Sequence, residues 1–441
     1  MSGKSRGTPS FKAIRTQYSE LSFKIGRHVI IVSSSMPEST LASAILCKSI
    51  FKSGGLFHIT FVEPVVHAEE INRLRSTYSD SSIIVVGVDV ADRKRIKKGK
   101  GYPVFIGGVH ESEQAQSLCL GNERTIPAAS YILAEEIAKT GSEELQLAAA
   151  GTLLNSASAK LKGASRQVVA SAQKKGLIEE KKGFRLFGVN FMPLNEVLAY
   201  SIWPYLPNLS GKPEICDKIY EEADIPYPKF KTPLSSLTSE EATKVNEHLS
   251  LKLDPSVISQ VLGQDFILTN ENETSPARLL SGIRAIAETA WTLAEPSAST
   301  AIWIGDRAQV LKRFLDSYKA HSQEVIAGVE RMVVRLQESG SEETDQPLMI
   351  SHTEPHEEIL SDAGRIVLEA NYVDTDRLMV ISKDSGISAI WKSGTIVLQD
   401  MFRSLIEVGI YPNATSSNSL RVDDTSEEAK SKIASALTGK R

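Results

Sequence analysis

The residues best placed to do chemistry follow a short apolar run near the start of the chain. Val29-Ile30-Ile31-Val32 leads into Ser33-Ser34-Ser35-Met36-Pro37-Glu38-Ser39-Thr40 and then into the small-residue stretch Leu41-Ala42-Ser43. In a parallel α/β sheet, active sites form at the C-terminal ends of strands, and this turn is the first such place. A second stretch, Ala149-Ala150-Gly151-Thr152-Leu153-Leu154-Asn155, closes an Ala-rich segment on a polar residue. A third holds dense positive charge in Arg93, Lys94, Arg95, Lys97, Lys98 and Lys100. It reads either as a solvated loop or as a contact for phosphate or an acidic partner. His352 and His356, with Glu354 and Glu357, have spacing that could ligate a metal on a helix. Pro355 between them disfavours a regular helix, so the segment reads as a solvated loop. Gly99-Lys100-Gly101 lacks the spacing of a phosphate-binding loop.

The elements that must position these residues alternate. Strands are expected at residues 29–32, 57–62, 83–88 and 103–106. Helices are expected from 41 to 46, with Ser39 as N-cap, and from 68 to 77. Strand–helix alternation of this kind predicts a parallel sheet with right-handed crossovers. Residues 127–175 read as mostly helical. Residues 165–188 have a winged-helix flavour, a helix followed by Gly176-Leu177-Ile178 and a charged hairpin. From 195 to 340 the pattern is chiefly helical, with a polar break at 270–275, and the acidic stretch 339–346 reads as a linker. Short β-type runs return at 365–368, 378–381, 387–391 and 395–398, before a helix near 399–408 and a terminal helix after Asp423.

A chain of 441 residues is long for one core, so two or three domains are expected. Net charge is −4, whereas a free-standing duplex-DNA binder is usually basic overall. Residues 1–28 carry six basic side chains and one acidic one, so local basic segments survive that exclusion. No apolar run approaches the roughly 20 residues of a bilayer span, and the polar N-terminus does not read as a secretory signal. Cys47, Cys119 and Cys216 lie far apart with no CxxC pair, which predicts neither a zinc knuckle nor a disulfide framework. A reducing, cytoplasmic setting is expected, with no membrane partner.

Strand, polar turn and small-residue helix together resemble the first motif of the DHH phosphoesterase superfamily, in its RecJ-like branch. Aligned on Leu41-Ala42-Ser43, the three metal-ligand positions of that motif fall on Ser35, Pro37 and Ser39. The second motif's aspartate falls on Gly87, or on Asp89 if the turn is shifted. The Asp-His-His motif falls at Gly107-Gly108, with His110 nearby. In the fourth motif, similar to Ala149–Asn155, Asn155 stands where the ligand aspartate should be. Tyr200-Ser201-Ile202-Trp203-Pro204-Tyr205-Leu206-Pro207-Asn208-Leu209-Ser210-Gly211 is similar to the Tyr-Ser-x-x-Pro-Tyr-h-Pro-Gly-h-Ser-Gly segment of archaeal RecJ-like proteins, where h is apolar. Residues 275–333 resemble their Ala- and Arg-rich helical pair. The Gly-Gly-Gly-His signature of the family's C-terminal DHHA1 domain is absent from Val408–Ala414.

The resemblance implies an α/β fold: a flexible tail (1–26), a degenerate parallel-sheet DHH-type domain (27–194), a helical connecting region (195–340) and a smaller α/β DHHA1-like C-terminal domain (341–441). Two-metal phosphodiester hydrolysis needs several carboxylates to hold the ions and activate water. Serine, proline, glycine and asparagine cannot supply them, so no metal, no cofactor and no catalytic residue are expected. The RecJ-like branch holds active single-strand exonucleases and also inactive members of the replicative CMG helicase, found in archaea and eukaryotes. The second group implies a structural, nucleoid-associated replication factor that partners MCM and GINS and can hold single-stranded DNA. An active nuclease or phosphodiesterase with displaced ligands is the alternative, and a regulator of an active paralogue is a third. The candidate nucleic-acid contacts are Arg93, Lys94, Arg95, Lys97, Lys98 and Lys100.

Overall fold

A computed structural model describes residues 25–97, 102–107, 117–118, 125–154, 160–338, 348–351, 357–370, 372, 378–383 and 385–438. The chain divides into two compact units. One runs to Ile178 and includes Trp303–Gly305; the other holds Glu179–Ile302 and the residues from Asp306 onward.

The first unit is built on five parallel strands in the order β2-β1-β4-β6-β7, where β1 is His28–Ser34, β2 Leu56–Val62, β4 Ser82–Val86, β6 Val104–Ile106 and β7 Ser117–Leu118. β3 (Val65–Val66) and β5 (Asp89–Val90) form a separate two-stranded parallel ladder. Helices α1 (Pro37–Lys52), α2 (Ala68–Thr77), α3 (Ile126–Ile137), α4 (Ser142–Leu154) and α5 (Gly163–Lys174) complete it. Strand side chains alternate between the two faces. Val29, Ile31, Ile84, Val86, Val104 and Ile106 pack with Ala42, Leu46, Ala129 and Leu133 from α1 and α3. Ile30, Val32, Ile83, Val85 and Phe105 pack with Ala68 and Ile71 of α2. Both faces are thus covered by helices, which is why the strands read as continuous apolar runs.

The second unit begins at Glu179, inside β8 (Ile178–Phe184), which pairs with β9 (Leu262–Leu268). Between them lie α6 (Pro213–Glu222), α7 (Ser239–Lys252) and α8 (Pro255–Val261). Then come α9 (Leu280–Thr292), α10 (Pro296–Ile304) and the 30-residue α11 (Gln309–Glu338). A five-stranded sheet in the order β10-β11-β12-β14-β13 follows, from β10 (Leu348–Ser351), β11 (Met379–Lys383), β12 (Gly386–Ile390), β13 (Asn413–Ser416) and β14 (Ser419–Val422). Among the described residues, its β10–β11 pair is parallel and the other pairs are antiparallel. Helices α12 (Glu357–Glu369), α13 (Leu398–Glu407) and α14 (Glu427–Thr438) accompany it.

Several expectations are corrected. Pro37 sits at the first helical position, so α1 starts early with Met36 as its cap, and Ser39 lies inside the helix. Arg365–Leu368 is helical within α12, because Ile359, Leu360, Ala363, Ile366 and Val367 form one buried helical face. Residues 395–397 are not a strand; Val397 caps α13. The charged hairpin does not form, since β8 pairs with β9 about eighty residues later. The 339–346 linker, Cys119 and the His352–His356 segment lie outside the described residues.

Candidate functional site

The head of β1 and the first turn of α1 form a corner lined by hydroxyls. Ser33, Ser34, Ser39 and Ser43 are all buried. Ser34 Oγ donates to Ser39 Oγ at 2.9 Å, Ser43 Oγ donates to Ser33 Oγ at 3.0 Å, and Ser33 Oγ donates to the Ser34 carbonyl at 2.9 Å. Each buried hydroxyl therefore has a partner, as burial requires. None of these side chains carries charge.

Gly87 ends β4 at φ +64°, and its N–H donates to the Ile106 carbonyl at 2.7 Å. A Cβ there would lie 1.9 Å from Ser39 Oγ and 2.9 Å from Ser34 Oγ. Gly107, at φ +100°, stands with its would-be Cβ 3.1 Å from the Gly87 Cα. The fold thus brings Ser39, Gly87 and Gly107 together, three positions that the motif alignment assigns to metal ligands. Ser35 is partly exposed and Pro37 is buried in the first turn. Asp89 lies buried in the β3–β5 ladder, where Oδ1 accepts from the Val90 N–H at 2.9 Å. Gly108, His110 and Asn155 lie outside the described residues.

The metal pair implied by the motif resemblance does not fit the described residues at this corner. Hydroxyls, a proline and backbone glycines offer no carboxylate to neutralise divalent ions. A ligand at position 87 would also need a side chain where Ser39 already stands.

Scaffold residues of the remaining motifs have clear structural tasks. A Cβ on Gly151 would lie 2.7 Å from Pro127 Cγ, so α4 packs against the start of α3 only because residue 151 is glycine. Thr152 Oγ1 and Thr125 Oγ1 share a hydrogen bond of 2.9 Å beside it. In the 200–211 segment, Ser201 Oγ donates to the Pro204 carbonyl and Ser210 Oγ to the Ser201 carbonyl, each at 2.6 Å. Asn208 replaces the family's glycine at φ +65°, a conformation that asparagine tolerates better than most residues.

The basic segment after β5 is held by α2. Asn72 Nδ2 donates to the Arg95 carbonyl at 3.1 Å, Asn72 Oδ1 accepts from the Lys97 N–H at 3.0 Å, and Arg75 donates to the Lys97 carbonyl. Arg93 lies 4.0 Å over the Phe105 ring, and Arg95 pairs with Asp92 at 3.5 Å. Lys94 and Lys97 are exposed, while Lys98 and Lys100 lie outside the described residues.

A polar cluster that the sequence reading missed lies inside the second unit. His321 Nε2 and Asp362 Oδ2 are 2.8 Å apart and both side chains are buried. Arg365 reaches Asp362 at 3.5 Å, Glu369 at 2.8 Å and the Ile202 carbonyl at 3.1 Å, and its guanidinium lies 3.6 Å over the Trp203 ring. Burial would raise the Asp362 carboxyl, but the His321 hydrogen bond and the Arg365 charge hold it below the usual carboxylate range. Burial would weaken the Arg365 charge, and Glu369 and Asp362 reverse that. The spacing Asp362-x-x-Arg365-x-x-x-Glu369 is a helical-face signal, hidden when Arg365–Leu368 is read as a strand.

No protein-family model matches the chain, and no curated protein sequence does. Its fold is that of a solved CDC45 structure: mixed α/β with a parallel sheet in the first unit. Among solved structures it is similar to CDC45 from Entamoeba histolytica, at 11% identity over 97% of this chain and 98% of that one, with a TM-score of 0.62. An exonuclease RecJ bound to manganese matches at 12% identity over 98% and 96% of the two chains, with a TM-score of 0.49. RecJ from Thermus thermophilus in complex with Mn²⁺ matches at 11% identity over 96% of this chain and 55% of that one, with a TM-score of 0.48. The resemblance read in the motifs therefore extends to the fold. No described helix is long and apolar enough to cross a membrane.

Proposed function

We propose that this chain is a non-catalytic, CDC45-like replication factor: a structural, nucleoid-associated subunit of the replicative helicase that partners MCM and GINS. The observation that supports the reading is the close-packed corner at Ser39, Gly87 and Gly107, positions to which the motif alignment assigns ligands and none of which bears a carboxylate. The full-length likeness to CDC45 supports the same assignment. The chain is a protein that binds, and its domains follow the 27–194, 195–340 and 341–441 division. Single-stranded DNA is held weakly and without sequence preference, through Lys94, Lys97 and their basic neighbours.

The test has two arms. Purified chain with Mn²⁺ and labelled single-stranded DNA should leave the strand intact. Mixed with GINS and MCM, it should elute with them on size-exclusion chromatography. Digestion that tracks the protein and disappears on changing Asp89 or His110 would refute the non-catalytic reading. Separate elution from GINS and MCM at micromolar concentrations would refute the helicase assignment.

A further inference from the structure

We infer that the serine corner is a latch: it does the packing work that bridging metal would do in a related hydrolase, and restoring carboxylates cannot reopen it. The inference rests on the non-catalytic reading only for which positions once held ligands.

The motif alignment puts ligand positions at the ends of β1, β4 and β6, where a two-metal centre would need its carboxylates. Here the same three strand ends meet through neutral contacts. Ser34 and Ser39 join β1 to α1 by a 2.9 Å hydrogen bond, and Ser33 and Ser43 join them again at 3.0 Å. The Gly87 N–H reaches Ile106 of β6 at 2.7 Å. Gly107 lies so close to Gly87 that its would-be Cβ is 3.1 Å from both the Gly87 Cα and N. Ions with their oxygen ligands at about 2.0–2.6 Å need room that side chains and waters would fill. At position 87 the hydroxyls of Ser39 and Ser34 already stand where a ligand side chain would start.

The latch has a directional consequence. A side chain at 87 meets two separate obstacles. One is the positive φ, which L residues adopt only at a cost. The other is Ser39 Oγ, 1.9 Å from where a Cβ would sit. The second obstacle belongs to the pair, so trimming Ser39 should relieve part of the damage done at 87. Reintroducing aspartates at 39 and 87 should add buried, unneutralised charge at the point where Ser39 and Gly87 already meet.

The test is a thermal-melting cycle on the full chain, with Gly87→Ala, Ser39→Ala and the double variant. Gly87→Ala should lower the melting midpoint by roughly 5–10 °C and Ser39→Ala by less. The double variant should lose less than the sum of the two, since Ser39→Ala removes the clashing oxygen. Additive shifts, or a Gly87→Ala midpoint equal to that of the unaltered chain, would overturn the latch. Mn²⁺ titration of Ser39→Asp and Gly87→Asp, singly and together, by calorimetry gives a second readout. No saturable binding is expected, and micromolar binding by a variant that still melts cooperatively would overturn the inference. Failure to bind GINS would count against the helicase role and leave the latch standing. An additive melting cycle would do the reverse.

Discussion

Arg365→Met should be among the most damaging single changes in the second unit. Arg365 serves Asp362, Glu369, the Ile202 carbonyl and the Trp203 ring at once, with its own side chain buried. Methionine keeps most of the volume, so the loss is chiefly one of charge and hydrogen bonds. At 3.5 Å and an effective dielectric of 20, the attraction between Arg365 and Asp362 is about 5 kcal/mol. Desolvation of both ions offsets much of that in the native chain. In the variant, however, Asp362 remains buried with His321 as its remaining close partner in the cluster. Removing one member of a buried pair costs about 3–5 kcal/mol, and the stranded Ile202 carbonyl adds about 1–3 kcal/mol. Glu369 is partly exposed and can turn to water, so its share is small. The expected total is about 4–8 kcal/mol, or roughly 8–32 °C in melting midpoint for a unit of this size. Tryptophan fluorescence is a suitable probe, because the indole of Trp203 loses its cation in the same step. A loss below about 1 kcal/mol would refute the reasoning and mean that Asp362 is neutral or solvated in the folded chain.

Asp362→Asn should flatten the acid limb of the stability curve. The folded carboxyl is held below its usual value, so its contribution is present above the unfolded pKa and lost as pH falls through the folded one. Urea melts from pH 3 to 6 would show it, and parallel curves for both proteins would count against it. Gly151→Ala, normally favourable in a helix, should instead destabilise by about 1–3 kcal/mol because of Pro127, as thermal melting can check. Asn208→Gly should be near neutral in the same assay, whereas Asn208→Val should cost about 1–2 kcal/mol at its positive φ. Burial pushes the Cys47 and Cys216 thiols up to about 12, so neither should react with a thiol reagent at pH 8 until the chain unfolds. Lys94→Ala with Lys97→Ala should flatten the slope of log K against log salt for single-stranded DNA by about 1–1.5, read by fluorescence anisotropy. An unchanged slope would exclude those lysines from DNA contact and leave an acidic partner surface as their remaining reading.

The parallel sheet could be read from the sequence because burial on both faces leaves β-branched runs such as Ile30-Ile31-Val32 and Ile83-Ile84-Val85-Val86. The C-terminal sheet was harder. Ile366-Val367-Leu368 has the same composition as a strand, and only the spacing of Ile359, Ala363 and Ile366 marks it as a helix. β13 (Asn-Ala-Thr-Ser) and β14 (Ser-Leu-Arg-Val) are short and pair with each other across a tight turn, but β14 joins the sheet only through β12, where Val422 lies opposite Ile387. Ser39 is the instructive residue at the site. As a helix cap it would have pointed to the backbone. Inside the first turn, it points across the corner to Ser34. Motif alignment could find the missing ligands but not what replaced them, because a lost aspartate and a closed pocket leave the same gap in a sequence. What separates the two is the approach of Gly87 to Ser39 in space. An open pocket with missing ligands could regain its metal by substitution. A corner in which backbone and hydroxyls already meet could do so only if the backbone moved, so the proposed loss of the metal is a matter of packing as well as of composition.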